Sequence, residues 1–371
     1  MNKLNCYASA AFGLEGPVAS ELRALHMSEV AAENGGVRFQ ASAEELYKCN
    51  LCLRECDRLY IIAAEGICTA FEDLYQLVYR ISWQDYAEGR EAINVSAKCA
   101  RSTLMSPRDC QSVTKKAILS KLQSVRGQSF FPENGPPLPV QISVHNDRVK
   151  VLINTSGEAL SRRGYRTWNG EAPLRETLAA ALVLLSPWNK SKPLYDPCCG
   201  TGTILTEAAL IAANRAPGLK RNFSMEQFFC FRDLPFEKIR ESVSSQIRED
   251  GEFRISGSDI SPDAVELAER HIKQADFKGR IQVFCKPLQD VVLTEQGGVF
   301  ICNPPYGERL SDRKSCRKLY GDLHLLKNRH PGWSMCVISS EPSFERAYGR
   351  KADKKRRFYN GRLECTYYIY Y

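Results

Sequence analysis

The chain has 371 residues, of which 43% are hydrophobic and 25% charged, a composition typical of a globular protein with two or three cores. No apolar stretch reaches the roughly 18 residues that span a bilayer, and the first residues show no apolar block of a signal peptide. We therefore expect a cytoplasmic protein that is neither exported nor held in a membrane. Lysine and arginine outnumber aspartate and glutamate by 51 to 43, and the net charge of +8 suits a polyanionic partner.

The first part of the chain predicts small units of mixed strands and helices. Strand patterns occur at Asn5–Ala11, Gly36–Gln40, Ala92–Ala97, Val140–Val144 and Val149–Asn154. Helical patterns occur at Pro17–Leu25 and, with a strongly basic composition, at Ser106–Arg126. A segment rich in glycine and arginine, Ser161–Gly170, predicts a linker to the next part of the chain.

The 15 cysteines include a cluster, Cys49, Cys52 and Cys56, whose spacing could indicate a metal site. On a helix these three positions share one face, where free cysteine behaves as a small buried hydrophobe. A closed zinc site needs four ligands, and no fourth lies nearby. We therefore interpret the cluster as core and expect no metal. An odd number of cysteines also argues against a disulfide framework.

From about Glu171 onward, strand and helix patterns alternate. The strands are predicted at Pro193–Tyr195, Phe253–Gly257, Ile281–Cys285, Gly298–Cys302 and Met335–Ser339, and the helices at Thr203–Ala213, Asp263–Gln274, Lys318–Arg329 and Ser343–Tyr348. Such alternation predicts an α/β fold with a doubly wound, mostly parallel sheet. Two final runs, Lys355–Tyr359 and Arg362–Tyr371, predict an antiparallel edge. Ligands of such sheets bind beyond the carboxyl ends of the strands.

Two of these strand ends carry a carboxylate. Asp196 precedes a turn in which Gly200 and Gly202 would let backbone N–H groups approach a ligand, and the spacing fits a ligand with an ammonium group better than a phosphate. Asp259 follows the next strand, and its carboxylate could accept hydrogen bonds from both hydroxyls of a ribose. Its distance along the chain requires an insertion, about Ala216–Gly251, to be looped out. Asp259 could instead cap the following helix.

The sharpest signal is Asn303-Pro304-Pro305-Tyr306, which directly follows the strand Gly298–Cys302. Two prolines make the turn rigid. The Asn303 side-chain oxygen and the Pro304 carbonyl oxygen can accept hydrogen bonds from both N–H groups of one exocyclic NH2 of a nucleobase. Tyr306 can stack on the ring of that base. The lone pair of such an amino nitrogen is delocalised into the ring, which makes it a poor nucleophile. Acceptors held in fixed positions would localise this lone pair on the nitrogen and direct it toward an electrophile. The alternative interpretation is a plain proline turn.

In this order, the three strand ends resemble those of the class I S-adenosylmethionine-dependent methyltransferases that methylate amino groups. The resemblance implies S-adenosylmethionine as cofactor, with Asp196 and the glycine turn around its methionyl part and Asp259 at its ribose. It makes Asn303, Pro304, Pro305 and Tyr306 the catalytic turn. The full set of cofactor-binding residues that it implies is Asp196, Cys198, Gly200, Thr201, Gly202, Asp259, Ile260 and, beside the adenine, Asp290.

The amino-terminal part resembles RNA-binding modules. The residues from Asn154 to Arg166 look like the end of a THUMP domain, and residues 12–22, FGLEGPVASEL, resemble the ferredoxin-like unit that precedes it. Together with APLRETLAAAL, DPCCGTGT and NPPYGERL, they make the whole chain similar to bacterial THUMP-containing RNA methyltransferases. The implied domains are a ferredoxin-like unit (residues 1–60), a THUMP domain (61–165) and a methyltransferase domain (166–371).

Clustered basic and aromatic residues agree with an RNA partner, since cations bind phosphates and aromatics stack on bases. The side chains predicted to contact RNA are Lys115, Lys116, Arg162, Arg163, Tyr165 and Arg166. Any single lysine could equally belong to a solvated helix face. A second basic run, Arg350–Arg357, is as consistent with a solvated loop as with RNA contact.

The resemblance is closest to enzymes that form N2-methylguanosine in large-subunit ribosomal RNA. The expected function is therefore methyl transfer to guanosine N2 of 23S ribosomal RNA. Three alternatives stay open at this point: a transfer-RNA guanine-N2 methyltransferase, a DNA adenine-N6 methylase and a catalytically silent RNA-binding protein.

Overall fold

The structure is a computed structural model that describes residues 3–127, 130–166, 174–248, 251–306, 312–361 and 363–371. Two compact units form. Unit 1 comprises residues 1–10, 18–160 and 221–242, and unit 2 comprises residues 11–17, 161–220 and 243–371. Each contains one seven-stranded sheet, so the predicted α/β fold class is confirmed. Among the described residues, none of the helices has the length and apolar character needed to cross a membrane.

The elements up to residue 160 build the sheet of unit 1. They are β1 (Leu4–Ser9), α1 (Glu15–Ala24), β2 (Ser28–Glu33), β3 (Gly36–Ala41), α2 (Ala43–Cys52), β4 (Arg58–Ile67), α3 (Phe71–Tyr79), β5 (Ala92–Ala100), α4 (Pro107–Arg126), β6 (Pro137–His145) and β7 (Arg148–Asn154). The strand order is β2-β3-β1-β4-β7-β6-β5. β5 pairs with β6 in parallel and the other neighbours are antiparallel.

β4 joins the two modules that the sequence predicts in this part of the chain. It pairs with β1 on one side and with β7 on the other, so both modules share a single sheet. The predicted boundary between residues 60 and 61 falls inside this strand. A boundary placed from sequence motifs cannot detect a strand that two modules share.

The cysteine cluster lies in the interior of unit 1, although not on one helix as predicted. α2 ends at Cys52, so Cys56 lies beyond the helix. Cys49 and Cys56 are both buried, as expected for small hydrophobic side chains. Within the described ranges, no group of three or more histidine, cysteine, aspartate or glutamate side chains is arranged to hold a metal ion.

Unit 2 is a doubly wound sheet. The elements after residue 160 are α5 (Glu176–Leu185), β8 (Leu194–Asp196), α6 (Thr203–Ala212), α7 (Phe236–Ser244), β9 (Ile255–Asp259), α8 (Pro262–Gln274), β10 (Ile281–Cys285), β11 (Gly298–Cys302), α9 (Asp312–Arg329), β12 (Trp333–Ser339), α10 (Phe344–Tyr348), β13 (Lys354–Asn360) and β14 (Leu363–Tyr370). The order is β10-β9-β8-β11-β12-β14-β13. The first five strands in this order are parallel, and β14 is antiparallel to both its neighbours.

The burial of β11 agrees with its central position in this order. All five residues of β11 are buried, as expected for a central parallel strand covered by helices on both faces. Every strand predicted after residue 171 is present, and so is the antiparallel edge. α5 was not predicted as a helix, because its mostly apolar sequence has little amphipathic pattern. Of the predicted linker, residues 167–170 lie outside the described residues.

Candidate active site

Three strand ends meet at one edge of the unit 2 sheet. β8 lies between β9 and β11 and is parallel to both. Asp196 at the end of β8 is in register with Gly257, two residues before Asp259. On the other side, Tyr195 pairs with Phe300, three residues before Asn303. The structure therefore brings together the three motifs that lie far apart in the sequence.

The turn after β8 exposes its backbone. Gly200 has a φ of +51°, and a Cβ added there would meet no atom within 4 Å, so the space above this backbone is open to a ligand. The N–H of Cys199 donates to Ser258 O at 3.0 Å, and that of Gly202 donates to Cys199 O at 2.8 Å. α6 begins at the next residue, so its N-terminal partial positive charge also lies at this turn.

One residue that fixes the turn escaped the sequence analysis. His271 of α8 is fully buried, and its Nδ1 lies 3.1 Å from the carbonyl oxygen of Thr201. A histidine inside a helical pattern, far along the chain, carries no sequence signal for such a contact.

Asp259 binds the glycine turn rather than capping a helix. One carboxylate oxygen accepts a hydrogen bond from Gly200 N at 2.9 Å, and the other accepts from Ser261 N at 3.0 Å. The cap of α8 comes from Ser261, whose hydroxyl accepts from Ala264 N at 3.3 Å. A carboxylate has about four acceptor positions, so the half-buried Asp259 can still accept hydrogen bonds from a ligand.

Asp196 is a buried carboxyl group. Its side chain is only 1% exposed, and Oδ1 accepts a hydrogen bond from Cys198 N at 3.0 Å. Burial, reinforced by the charge of Asp259, raises the pKa of the Asp196 carboxyl well above its usual range. Among the described residues, neither carboxylate has an ion-pair partner. The field at this edge of the sheet therefore favours a cationic ligand.

The Asn303–Tyr306 turn is held rigidly beside this edge. The carbonyl of Pro305 accepts a hydrogen bond from the Tyr320 hydroxyl at 3.0 Å, and Tyr320 is fully buried on α9. The Tyr306 hydroxyl donates to Asn303 Oδ1. Burial raises the pKa of that hydroxyl, so it remains a donor at neutral pH. Tyr306 thus orients the Asn303 carbonyl, in addition to the stacking role predicted for it, and leaves one lone pair free.

The other residues predicted to bind the cofactor lie around the same turn, with one exception. Cys198 and Thr201 are half-buried parts of the turn, and Ile260 is exposed directly after Asp259. Asp259 pairs with Cys285, the last residue of β10, and the N–H of the following Lys286 donates to Asp259 O at 3.0 Å. Asp290 lies on an exposed short helical turn after β10, and its role stays a prediction.

The structure differs from the sequence prediction at three of the six residues expected to contact RNA. Arg163 is 3% exposed and pairs with the fully buried Glu207 of α6 at 3.5 Å. Tyr165 is buried too and donates to the same Glu207 oxygen at 3.0 Å. Arg166 pairs with Glu176 at 3.2 Å and donates to Thr203 Oγ1, the first residue of α6, at 3.4 Å. These contacts support α6 from within unit 2. Arg163 and Tyr165 are buried, and the Arg166 side chain is only 11% exposed.

The other three lie at the surface. Arg162 and Lys116 are exposed. Lys115 pairs with Glu133 at 2.8 Å and lines a groove of about 740 Å³ on unit 1, between β5, β6 and α4. The groove has a positive charge, because its lining contains three cations and no acidic side chain: Arg58, Lys98 and Lys115.

Three comparisons with known proteins agree with this architecture. A family profile described as the RMKL-like methyltransferase domain matches residues 163–369, one described as the RlmL ferredoxin-like domain matches residues 5–60, and one described as the THUMP domain matches residues 68–154. These matches confirm the resemblance drawn from the sequence motifs.

Individual relatives cover the whole chain. YpsC of Bacillus subtilis, named as an RNA methyltransferase, is 37% identical over 100% of this chain and 97% of its own length. Ribosomal RNA large subunit methyltransferase K/L of Shewanella frigidimarina is 31% identical over 99% of this chain but 52% of its own length. The chain thus spans about half the length of that relative.

Two solved structures superpose closely. SMU.472, named as a methyltransferase and crystallised with SAH (S-adenosylhomocysteine), has a TM-score of 0.94 and 38% identity, and the match covers 100% of this chain and 98% of SMU.472. A protein from Listeria monocytogenes, described as a predicted N6-adenine-specific DNA methylase, has a TM-score of 0.93 and 36% identity, and the match covers 100% of this chain and 97% of the Listeria chain.

The buried Arg163–Glu207 pair yields a prediction about stability. Arg163→Ala leaves the Glu207 carboxylate buried without its cation, which costs about 3–5 kcal/mol of unfolding free energy. Urea denaturation followed by circular dichroism measures this loss. Arg270→Ala, which removes an exposed partner of Glu266, is the matched control and should cost less than about 1 kcal/mol. Equal small losses in both variants would contradict a structural role for Arg163.

The raised pKa of Asp196 yields a second prediction, in which loss of a site residue stabilises the fold. The folded-state pKa lies above the unfolded one, so ionisation of Asp196 at neutral pH favours unfolding. Asp196→Asn keeps an acceptor for Cys198 N and should raise the Tm of the cofactor-free protein at pH 7. The gain should shrink as the pH falls toward the pKa of an unfolded aspartate, because the carboxyl of the wild type is then protonated in the unfolded as well as in the folded state.

Differential scanning calorimetry across this pH range tests the prediction. Asp259→Asn is the control, because an amide cannot accept hydrogen bonds from both Gly200 N and Ser261 N, and this variant should lower the Tm. A lower Tm for Asp196→Asn at neutral pH would show that its surroundings stabilise the charge.

Proposed function

Because the chain belongs to the family with the RMKL-like methyltransferase domain, whose methyl donor is S-adenosylmethionine, we propose that it methylates the exocyclic N2 of a guanosine in 23S ribosomal RNA. The observation that supports the reaction is the rigid Asn303–Tyr306 turn one strand away from the buried Asp196 and the open glycine turn. The substrate class is supported by the THUMP match and by the names of the relatives.

The residues at the sheet edge fit S-adenosylmethionine. Its ammonium and sulfonium cations suit the field of Asp196 and Asp259, where no described residue supplies a neutralising cation. The free acceptor positions of Asp259 suit ribose hydroxyls. The open backbone at Gly200 leaves room for the ligand at the start of α6. When bound, the cofactor supplies a methyl group that its sulfonium makes electrophilic.

The turn acts on the base amine. The amino nitrogen of guanine is a poor nucleophile because its lone pair is delocalised into the ring. Asn303 Oδ1, through its second lone pair, and the carbonyl oxygen of Pro304 would accept hydrogen bonds from the two N–H groups of this amine. These hydrogen bonds would localise the lone pair on the amino nitrogen. The contacts of Pro305 with Tyr320 and of Tyr306 with Asn303 hold these acceptors in place before the substrate arrives. Preorganised acceptors need no rearrangement during the reaction.

Unit 1 would bind the RNA backbone. Its positive groove between β5, β6 and α4 offers Arg58, Lys98 and Lys115 to phosphates. Neither the groove nor the turn distinguishes ribosomal from transfer RNA. A second candidate reaction is methylation of adenine N6, because an Asn-Pro-Pro-Tyr turn can accept an adenine amino group equally well and the Listeria relative is named for that activity on DNA.

One experiment separates these candidates. The purified protein is incubated with S-adenosylmethionine and, in separate reactions, with unmodified 23S ribosomal RNA, transfer RNA or double-stranded DNA, and the digested nucleosides are identified by mass spectrometry. We expect N2-methylguanosine in the 23S RNA alone. N2-methylguanosine in transfer RNA, or N6-methyladenine in DNA, would reassign the substrate, and no methylated product in any sample would overturn the proposed function.

Asn303 gives the most direct prediction about catalysis. Asn303→Ala removes one of the two acceptors of the amino group and should lower kcat about 10²–10³-fold. The cofactor affinity measured by calorimetry should change little, because Asn303 belongs to the base pocket. Asn303→Asp, which keeps an acceptor oxygen, should retain more activity than Asn303→Ala. Equal activity of wild type and Asn303→Ala would exclude the amide from the reaction.

A further inference from the structure

The β13–β14 hairpin reaches the catalytic turn. β13 lies at the edge of the unit 2 sheet, paired with β14. Asn360 pairs with Leu363 at the end of this hairpin, and Asn360 and Cys365 are both electrostatic neighbours of the Tyr306 hydroxyl. The hairpin therefore borders the catalytic turn.

The outer strand of this hairpin is strongly basic. Its first four residues, Lys354 to Arg357, are all cations and all exposed. Two of them contact carboxylates, Lys355 with Glu345 at 2.9 Å and Arg357 with Glu364 at 4.0 Å. The Arg357 side chain nevertheless remains 77% exposed. The strand as a whole therefore carries a surplus of positive charge.

An exposed pair of aromatic rings continues this charged row. Phe12 and Tyr359 are 59% and 36% exposed, and their rings meet edge to face with centroids 5.6 Å apart. Gly13 has a φ of +89°, and a Cβ there would clash with the carbonyl oxygen of Arg357. The segment that carries Phe12 is thus packed directly on the β13 backbone, which holds the ring in its exposed position.

Protection of the sheet edge explains the exposed cations of this surface but not its exposed aromatic rings. Exposed lysines and arginines on an edge strand discourage pairing with another chain. Exposed aromatic rings do the opposite, since they add apolar surface at the same edge. Cations in a row with exposed aromatics are instead the combination that binds single-stranded nucleic acid, through phosphates and base stacking. Lys355, Arg357 and Tyr359 alternate along β13, so they share one face at intervals of about 6.6 Å.

We propose that Lys355, Arg357, Tyr359 and Phe12 form a binding site for single-stranded RNA next to the target nucleotide. The cations would bind the phosphates and the two rings would stack on unpaired bases. This inference rests on the proposed function, because it assumes an RNA substrate. It adds a contact made by the methyltransferase unit itself, separate from the groove of unit 1.

Fluorescence anisotropy with the full-length protein and a labelled single-stranded oligoadenylate tests the site. Tyr359→Ala and Phe12→Ala should each weaken binding about tenfold, the expected loss for one stacked base, whereas Tyr359→Phe should bind like wild type. Arg357→Gln should weaken binding and reduce the slope of log affinity against log salt by about 0.7, as for one lost phosphate contact. The KM for 23S RNA should rise in the same three weakened variants.

Arg270→Gln is the matched control, because it also removes one exposed arginine of unit 2 but lies on α8, which packs against β9 and β10 at the opposite end of the sheet. It should bind RNA like wild type. S-adenosylmethionine affinity, measured for each variant by calorimetry, shows that the unit is folded.

Two negative results have different meanings. If wild type methylates RNA and Tyr359→Ala, Phe12→Ala and Arg357→Gln bind oligoadenylate and RNA as tightly as wild type, the hairpin site is overturned and the proposed function stands. If wild type itself neither binds nor methylates RNA, the proposed function fails.

Discussion

The parallel pairing of β8 with both β9 and β11 is the constraint on which the active site depends. The chain leaves β8 toward β9 on one side and returns later to β11 on the other, so the connections diverge and open a crevice at the carboxyl ends of the strands. Asp196 and Asp259 are the last residues of β8 and β9, and Asn303 directly follows β11. Their chemistry becomes a site because hydrogen-bonded neighbours in a sheet lie only about 4.8 Å apart.

The residues around this crevice favour ligand binding at a cost in the stability of the unliganded fold. The Asp196 carboxyl lies in the interior, where burial and the nearby Asp259 make its ionisation unfavourable. A cationic ligand would relieve that cost, so the unliganded fold carries a strain that binding removes. The neighbouring buried ions behave differently. Glu207 has Arg163 and Tyr165 as partners, and this cluster supports α6, whose first turn borders the glycine loop.

RNA recognition divides into two electrostatic tasks in this picture. A groove lined by Arg58, Lys98 and Lys115 on unit 1 provides positive charge. The hairpin of unit 2 combines charge with Phe12 and Tyr359 beside the base pocket. Phosphate contacts give affinity without sequence information, whereas stacked, unpaired bases are accessible only where RNA is single-stranded. The two surfaces would therefore select a structured RNA that has an exposed strand at the target.

The sequence by itself determined the strand ends, because Asp196, Asp259 and the Asn303–Tyr306 turn are local motifs with a fixed place after an apolar run. It also determined the parallel sheet and the class of chemistry. Only the tertiary structure decided which groups Arg163, Tyr165 and Arg166 contact. A basic, aromatic segment has the same sequence pattern whether its side chains contact phosphates or buried carboxylates. The same holds for His271 on the Thr201 carbonyl and for Phe12 against Tyr359. These contacts join residues distant in the chain, and burial, which sets their chemistry, is a property of the packed fold.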